Sequence, residues 1–295
     1  MAPFSIIIPA YNEEGSVKQT IGGLKGFLLN NNLTGEIIAV NDGSTDKTKE
    51  ILSAINDIKV INHEYNRGYG AAIKTGVKEA RHETICIIDA DGTYPTEEIK
   101  TLISHVPEYD MAVGARSGKK VKMPLRRRFA KFFLILLIKI LTGVKVPDMN
   151  SGLRVFKKSL IKRYMRLIPD GFSLTTTITI CSIINNHKIK YVNINYHPRT
   201  GVSKIRPIKD TYNFFIVILK TVLYFKPLKV LLPVGIFLMA AAVALGVWSV
   251  FFLGRFLDTT TMVLFVSGLQ IFILALLADL IVNRIKNNDD QESSF

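Results

Sequence analysis

The chain of 295 residues carries 38 Lys+Arg against 24 Asp+Glu and is 48% apolar and 21% charged, which excludes a disordered or fibrous protein and leaves room for one large or two small domains. Two cysteines, Cys86 and Cys181, exclude a disulfide framework or a cysteine-based metal site and suit a reducing compartment. The charge is zoned: residues 1–115 hold 10 basic and 16 acidic side chains, residues 116–229 hold 25 and 3, and residues 230–295 hold 3 and 5. A basic block that runs directly into the longest apolar stretches points to an anionic membrane surface or a lipid phosphate. Its cations are interleaved with Leu, Ile and Phe rather than with isolated stacking aromatics, which argues against a nucleic-acid partner.

The first ten residues, MAPFSIIIPA, lack a charged leader and a long enough apolar run for a signal peptide, and read as a buried strand. Apolar β-branched runs at 4–8, 36–40, 59–61, 84–88 and 110–113 alternate with helical patterns at 14–29, 46–54, 71–80 and 96–105. This alternation predicts an α/β domain with a mostly parallel sheet and helices on both faces, whose ligands bind beyond the carboxyl ends of the strands. Two later stretches, 128–141 and 208–225, have wide apolar faces and narrow cationic or polar stripes. They read as amphipathic helices lying in a membrane interface, with core helices of a soluble protein as the alternative.

Residues 231–253 contain no charge, and 262–282 form a second apolar run interrupted only by Gln270 and Asp279. Each is long enough to cross a bilayer as a helix, and the short linker Gly254–Thr261 makes the pair a hairpin. Lys226 and Lys229 precede the first span, Arg284 and Lys286 follow the second, and only Arg255 lies between. The positive-inside rule then places both ends of the chain in the cytoplasm.

Polar clusters follow three of the strands. Residues 6–8 run into Pro9-Ala10-Tyr11-Asn12-Glu13-Glu14, residues 37–40 into Asn41-Asp42-Gly43-Ser44-Thr45-Asp46, and residues 84–88 into Asp89-Ala90-Asp91-Gly92. One acidic strand end is explained by a helix cap, a role open to Ser44 or Asp46. Three on one sheet edge need a cation or several donors to offset their repulsion. Asp89 and Asp91 are hard oxygen ligands suited to Mg²⁺ or Mn²⁺, completed by substrate phosphates. Gly68, Gly70 and Gly76 do not match a dinucleotide or phosphate-loop pattern and are expected to permit sharp entry into the following helix. His63, His82, His105 and His187 form no constellation, and His197 alone lies near a motif.

The segments IIIPAYNEE, VNDGSTDKT, NRGYGAAIKTG, DADG and GAR, followed by DMNSGLRVF, resemble glycosyltransferase family 2, and within it the dolichol- or polyprenyl-phosphate sugar transferases. The resemblance covers roughly residues 4–207, and the paired interfacial helices and two spans are similar to those of membrane-bound members. It implies a glycosyltransferase A-type (nucleotide-diphospho-sugar transferase) domain that transfers a sugar with inversion from a nucleotide-diphospho-sugar to a polyprenyl phosphate. The implied organisation is a cytosolic catalytic domain at 1–207, with one interfacial helix at about 126–141. A second interfacial helix follows at 208–227, a transmembrane hairpin at 228–284 and a polar cytosolic tail at 285–295.

Carried over position by position, Pro9, Tyr11 and Glu13 line the nucleoside pocket, and Val40 and Asp42 meet base or ribose. Asn41 replaces the more usual first aspartate, which puts the weight on Asp42. Asp89 and Ala90 lie against ribose and diphosphate, Asp91 is the main metal ligand, and Thr93 stands where mannosyl members often have glutamine. Arg116 reaches the diphosphate or sugar, and Arg199, Ser203 and Lys204 resemble the basic loop that closes over the phosphates. Asp148, Ser151 and Arg154 face the acceptor, with Arg127 and Arg128 offered to its phosphate or to lipid headgroups generally. The segment from Gly171 to Thr177 has no carboxylate where members acting on sugar hydroxyls carry a base, which suits an acceptor phosphate that is already ionised. A processive polysaccharide synthase would carry a Q-x-x-R-W segment, whereas the single tryptophan, Trp248, lies in an apolar run. A non-lipid acceptor, a silent nucleotide-sugar-binding adaptor and self-association stay open at this level.

Overall fold

The computed structural model describes residues 1–116, 136, 138–140, 143–144, 146–171, 173–197, 207–254 and 257–292. The chain divides into two compact units, Met1–Val217 and Ile218–Phe295.

In the first unit the run FSIIIPA forms β1 (Phe4–Ala10), and every one of its residues is buried. A strand covered on both faces reads as continuous apolar sequence rather than as an alternation, and β1 is covered that way. Phe4, Ile6 and Ile8 share a core cluster with Val17, Ile21 and Leu24 of α1 (Val17–Asn30) and with Ile99 and Leu102 of α4 (Glu98–His105). Ile7 points to the opposite face, against α3 (Tyr69–Glu79). There Gly76 leaves the space, since a Cβ on it would lie 2.4 Å from Ile7 Cγ2. Each fully buried Ile or Leu contributes about 1.5–3 kcal/mol.

The remaining elements of this unit are β2 (Gly35–Asn41), α2 (Thr48–Ser53), β3 (Lys59–Asn62), β4 (Thr84–Ile87), β5 (Met111–Arg116), β6 (Arg154–Lys157), α5 (Lys158–Tyr164), α6 (Leu174–Ile184) and β7 (Ile189–Ile194). The sheet order is β3-β2-β1-β4-β6-β5-β7. All pairings are parallel except those of β6, which runs antiparallel to both β4 and β5. The expected mostly parallel sheet is present. The antiparallel insertion was not anticipated, and it decides what lies at the site. Because β6 runs against its neighbours, with Arg154 opposite Ile87 and Val113, the residues before it lie at the carboxyl ends of β4 and β5.

The division between the units falls within the 19-residue α7 (Pro207–Phe225). The expected interfacial helix at about 126–141 lies largely outside the described residues.

The second unit is built on α8 (Pro227–Leu253) and α9 (Asp258–Glu292). Two stretches are long and apolar enough to cross a membrane: Pro227–Leu253, 27 residues at mean hydropathy 2.6, and Asp258–Ile285, 28 residues at 2.3. Both helices start earlier than their apolar runs. Pro227 opens α8, where its missing N–H costs nothing, and Asp258 stands in the first turn of α9, complementing the helix dipole. Gly254 ends α8 with φ 63°, a conformation that glycine adopts without penalty, and the Leu257 N–H donates back to Ser249 Oγ at 3.2 Å.

The hairpin closes on two glycines: a Cβ on Gly268 would lie 2.7 Å from Met239 Cγ and 2.9 Å from Gly235 O. Small residues allow such backbone approach between apolar helices. Gly268→Val is therefore expected to cost about 1–3 kcal/mol of packing. The purified protein in detergent should show this as a lowered melting temperature, while Leu269→Val, at an exposed position, leaves it unchanged.

Candidate active site

The loops after β1 and β2 are bonded to each other. Asn12, held at φ 50°, accepts the Thr45 N–H on Oδ1 at 2.8 Å and donates its own N–H to Ser44 Oγ at 3.0 Å. The Glu13 N–H donates to Thr48 Oγ1 at 2.8 Å. Asp46 accepts the N–H groups of Thr48 and Glu14, so it satisfies the start of α2 and ties the first motif to the second.

Asp42 is almost fully buried yet borders a cavity of about 480 Å³ at this sheet edge. Its Oδ1 accepts the Arg67 N–H at 2.9 Å and lies 2.7 Å from His63 Nδ1, and its Oδ2 accepts the Gly68 N–H at 2.8 Å. Gly68 needs its conformation, φ 103°, and also its lack of a side chain, because a Cβ would lie 2.5 Å from Asp170 O. On Gly70 a Cβ would lie 2.2 Å from Pro169 O. The glycines of NRGYG thus do more than open α3: they let the 169–171 segment cross directly over the loop.

Asp89 and Asp91 follow β4. The Tyr69 hydroxyl donates to Asp89 Oδ1 at 2.9 Å, and burial together with the Asp89 charge pushes the Tyr69 hydroxyl well above its ordinary pKa. The Asp89 carboxylate rests on the bare Cα of Gly152, where a Cβ would lie 2.2 Å from Oδ2. Asp91 Oδ1 accepts from the Thr93 N–H at 3.1 Å and its hydroxyl at 2.6 Å.

Arg116, at the end of β5, meets Asp148 from the loop before β6. Nε donates to Oδ2 at 2.7 Å and Nη2 to Oδ1 at 2.9 Å, a bidentate, charge-assisted pair. The guanidinium lies 5.4 Å from the centre of the Tyr196 ring. Burial raises the Asp148 carboxyl, but the hydrogen bonds and charge of Arg116 outweigh it and hold the carboxyl below its ordinary value. Burial opposes the Arg116 charge, and Asp148 more than compensates.

The cavity wall gathers Pro9, Tyr11, Glu13, Asp42, Asp89, Ala90, Asp91 and Arg116. Asp148 is joined to that wall through Arg116, and Ser151 is fully buried between two wall residues, Asn150 and Gly152. Val40 and Arg154 are not in the wall. Val40 is buried in β2, and Arg154 is fully buried, donating to Ser151 O, Met149 O and Thr179 Oγ1. It is a strut of the DMNSG loop. Arg127, Arg128, Arg199, Ser203 and Lys204 lie outside the described residues.

The wall also contains Asn66, Tyr69, Asn150, Thr175, Tyr196 and Phe214, none of which was singled out from the sequence. Asn66, Tyr69 and Asn150 sit inside quoted motifs and Thr175 lies in the 171–177 segment read as suited to an ionised acceptor, which was the available signal; Tyr196 and Phe214 carried none. Among the described residues no three His, Cys, Asp or Glu side chains cluster as a complete metal cage. Two carboxylates from one loop, facing a cavity with room for a phosphate, fit a divalent cation whose remaining ligands are phosphate and water oxygens.

This sheet order, with acidic loops at the carboxyl ends of β2 and β4 and an arginine at the end of β5, is that of the glycosyltransferase A-type fold. The family model "Glycosyl transferase family 2" matches residues 5–165, and "GtrB C-terminal hairpin" matches residues 226–283. The chain belongs to glycosyltransferase family 2. A UDP-N-acetylglucosamine–dolichyl-phosphate N-acetylglucosaminyltransferase of Methanococcus voltae is 32% identical over 53% of this chain and 70% of its own length. A dodecaprenyl-phosphate galacturonate synthase of Rhizobium johnstonii is 26% identical over 97% of this chain and 89% of its own. Other relatives are longer, the match spanning about half of their length. Among solved structures, glucosyl-3-phosphoglycerate synthase from Mycobacterium tuberculosis, in complex with Mn²⁺, UDP-glucose and phosphoglyceric acid, superposes with a TM-score of 0.58 at 18% identity, covering 75% of this chain and 79% of that one. That likeness is one of fold.

Proposed function

We propose that this chain transfers a sugar, with inversion, from a nucleotide-diphospho-sugar to a polyprenyl phosphate, dolichyl or undecaprenyl, at the cytosolic face of a membrane. One observation carries the reading: a single chain joins an acidic, arginine-bearing cavity at the strand ends to a two-helix apolar hairpin of the GtrB type. The printed activities of the Methanococcus and Rhizobium relatives support the acceptor class.

In this reading Pro9, Tyr11, Glu13 and Asp42 receive the nucleoside. Asp91, with Asp89, holds Mg²⁺ or Mn²⁺, which when bound supplies charge compensation for the diphosphate. A lipid phosphate oxygen attacks the anomeric carbon, the bond from that carbon to the diphosphate oxygen breaks, and the electron pair leaves with the nucleoside diphosphate. With a second pKa near ~6 the acceptor phosphate is largely dianionic at neutral pH, so it needs positioning more than a base. Thr175 in the cavity wall suits that demand. Arg116, oriented by Asp148, stabilises the departing phosphates, and Arg199, Ser203 and Lys204 close over them. Ser151 and Arg154, the one beside the wall and the other as a strut, shape the acceptor side, with Arg127 and Arg128 toward the lipid headgroup. Lys226 and Lys229 precede the first span and Arg284 and Lys286 follow the second, which by the positive-inside rule supports a cytoplasmic site and tail.

The test is a donor panel (UDP-glucose, UDP-N-acetylglucosamine, GDP-mannose) assayed with undecaprenyl and dolichyl phosphate. A labelled sugar that partitions into the organic phase only when divalent metal is present is the expected result. Labelling of a water-soluble acceptor alone would refute the lipid-phosphate assignment.

A further inference from the structure

We propose that His63 is a positioning residue for nucleotide binding, one that locks the Asp42 carboxylate and, through it, the loop from Asn66 to Tyr69 along the cavity wall. The inference rests on the reading of Asp42 as a nucleoside contact. His63 was unremarkable in the sequence, yet its side chain is 4% exposed and both ring nitrogens are paired: Nδ1 lies 2.7 Å from Asp42 Oδ1 and Nε2 lies 3.0 Å from Thr75 Oγ1. Its backbone N–H donates to Asn41 O at 2.9 Å, which continues the β2–β3 ladder past its last residues. The imidazole therefore spans three elements: it leaves β3, grips the end of β2 and is braced from inside α3.

The donor directions follow from chemistry. An ionised carboxylate only accepts, so Nδ1 carries a proton toward Asp42, and in the neutral ring Nε2 accepts from the Thr75 hydroxyl. A carboxylate offers about four acceptor sites. His63 and the N–H groups of Arg67 and Gly68 occupy three, and one is left for an N–H donor such as that of a uracil or guanine ring. Without the imidazole, Asp42 keeps only the N–H groups of Arg67 and Gly68, and the cavity loop loses the tie through His63 to β3 and α3. The expected signature is weaker nucleotide binding with little change in the chemical step.

The experiment measures UDP and GDP binding calorimetrically, with Mn²⁺, on the full-length protein in detergent. The variants are His63→Asn, His63→Gln and Thr75→Val. An asparagine amide reaches only to where Nδ1 sits and preserves the donor to Asp42; a glutamine amide reaches to the Nε2 position and does not. A charge-assisted hydrogen bond of this kind corresponds to roughly tenfold in affinity. His63→Gln should therefore weaken binding ~10-fold, His63→Asn should stay within ~3-fold of the parent protein, and Thr75→Val should weaken binding ~3-fold at an unchanged melting temperature. KM for the nucleotide sugar should follow these changes while kcat holds within ~3-fold. Equal binding by the parent and His63→Gln proteins overturns the role of His63, and so does equal loss in His63→Asn and His63→Gln with none in Thr75→Val. Failure of the parent protein to bind either nucleotide overturns the underlying reading of the site instead.

Discussion

Asp91→Asn is expected to lower sugar transfer to the lipid by about a thousandfold or more while leaving the fold intact. Asp91 is 6% exposed, and its Oδ1 already accepts two hydrogen bonds from Thr93. An asparagine amide oxygen can accept the same two, so the loop after β4 keeps its shape and only the negative charge is lost. In the proposed mechanism the cost then falls on the step in which charge builds on the departing diphosphate. Losing one preorganised electrostatic group at such a step typically costs 10²–10³-fold, and a charge that also recruits a divalent cation is placed at or beyond the upper end. Organic-phase transfer measured at saturating Mn²⁺ and at saturating Mg²⁺, beside a melting curve for each protein, checks it. Wild-type turnover in Asp91→Asn would move the metal site elsewhere. Asp89→Asn is the comparison: Asp89 is partly engaged by Tyr69, so a smaller loss is expected there.

The parallel half of the molecule was legible because each element declared itself locally. The runs at 4–8, 36–40, 59–61 and 84–88 became β1 to β4, and the polar residues following them became the acidic edge of the cavity. That rule, polar residues after a strand, fails at β6. The segment RVFK is four residues long, antiparallel, and contributes the loop that precedes it. Only the likeness of DMNSGLR to a family motif pointed there. Composition and periodicity do not reveal which side of a short strand faces a site. Arg154 looked like a ligand-binding arginine because its partners, Met149 O, Ser151 O and Thr179, become visible only after folding. Val40 shares its strand end with Asp42 but is buried in the sheet. The second role of Gly70 and the pairing of His63 were invisible for the same reason. The Asp170 crossing comes from a distant segment, and the carboxylate that His63 grips lies 21 residues away.

The Arg116–Asp148 pair separates stability from catalysis. Asp148→Ala strips the counter-charge from a guanidinium whose side chain is 27% exposed, and Asp148 itself is 7% exposed. Breaking a mostly buried pair on one side costs about 3 kcal/mol, so a clear fall in melting temperature is expected together with loss of transfer. Replacing both partners with apolar residues, Arg116→Met with Asp148→Leu, removes the stranded charge. Melting should recover most of the way, because a buried ion pair exchanged for well-packed apolar groups is often neutral for stability. Transfer should not recover, because the proposed mechanism relies on Arg116 as the cation that meets the phosphates. Recovery of both would make Arg116 purely structural. The pH dependence gives an independent reading. The folded Asp148 carboxyl sits below its ordinary value because Arg116 outweighs the cost of burial, so the pair's stability is fully present above the unfolded-state pKa and is lost as pH falls through the folded one. The stability difference between parent and Asp148→Asn proteins, measured by denaturant unfolding, should therefore be constant near neutrality and shrink only below the ordinary carboxylate range. A difference that instead shrinks between pH 6 and 8 would assign the coupling to a group other than Asp148.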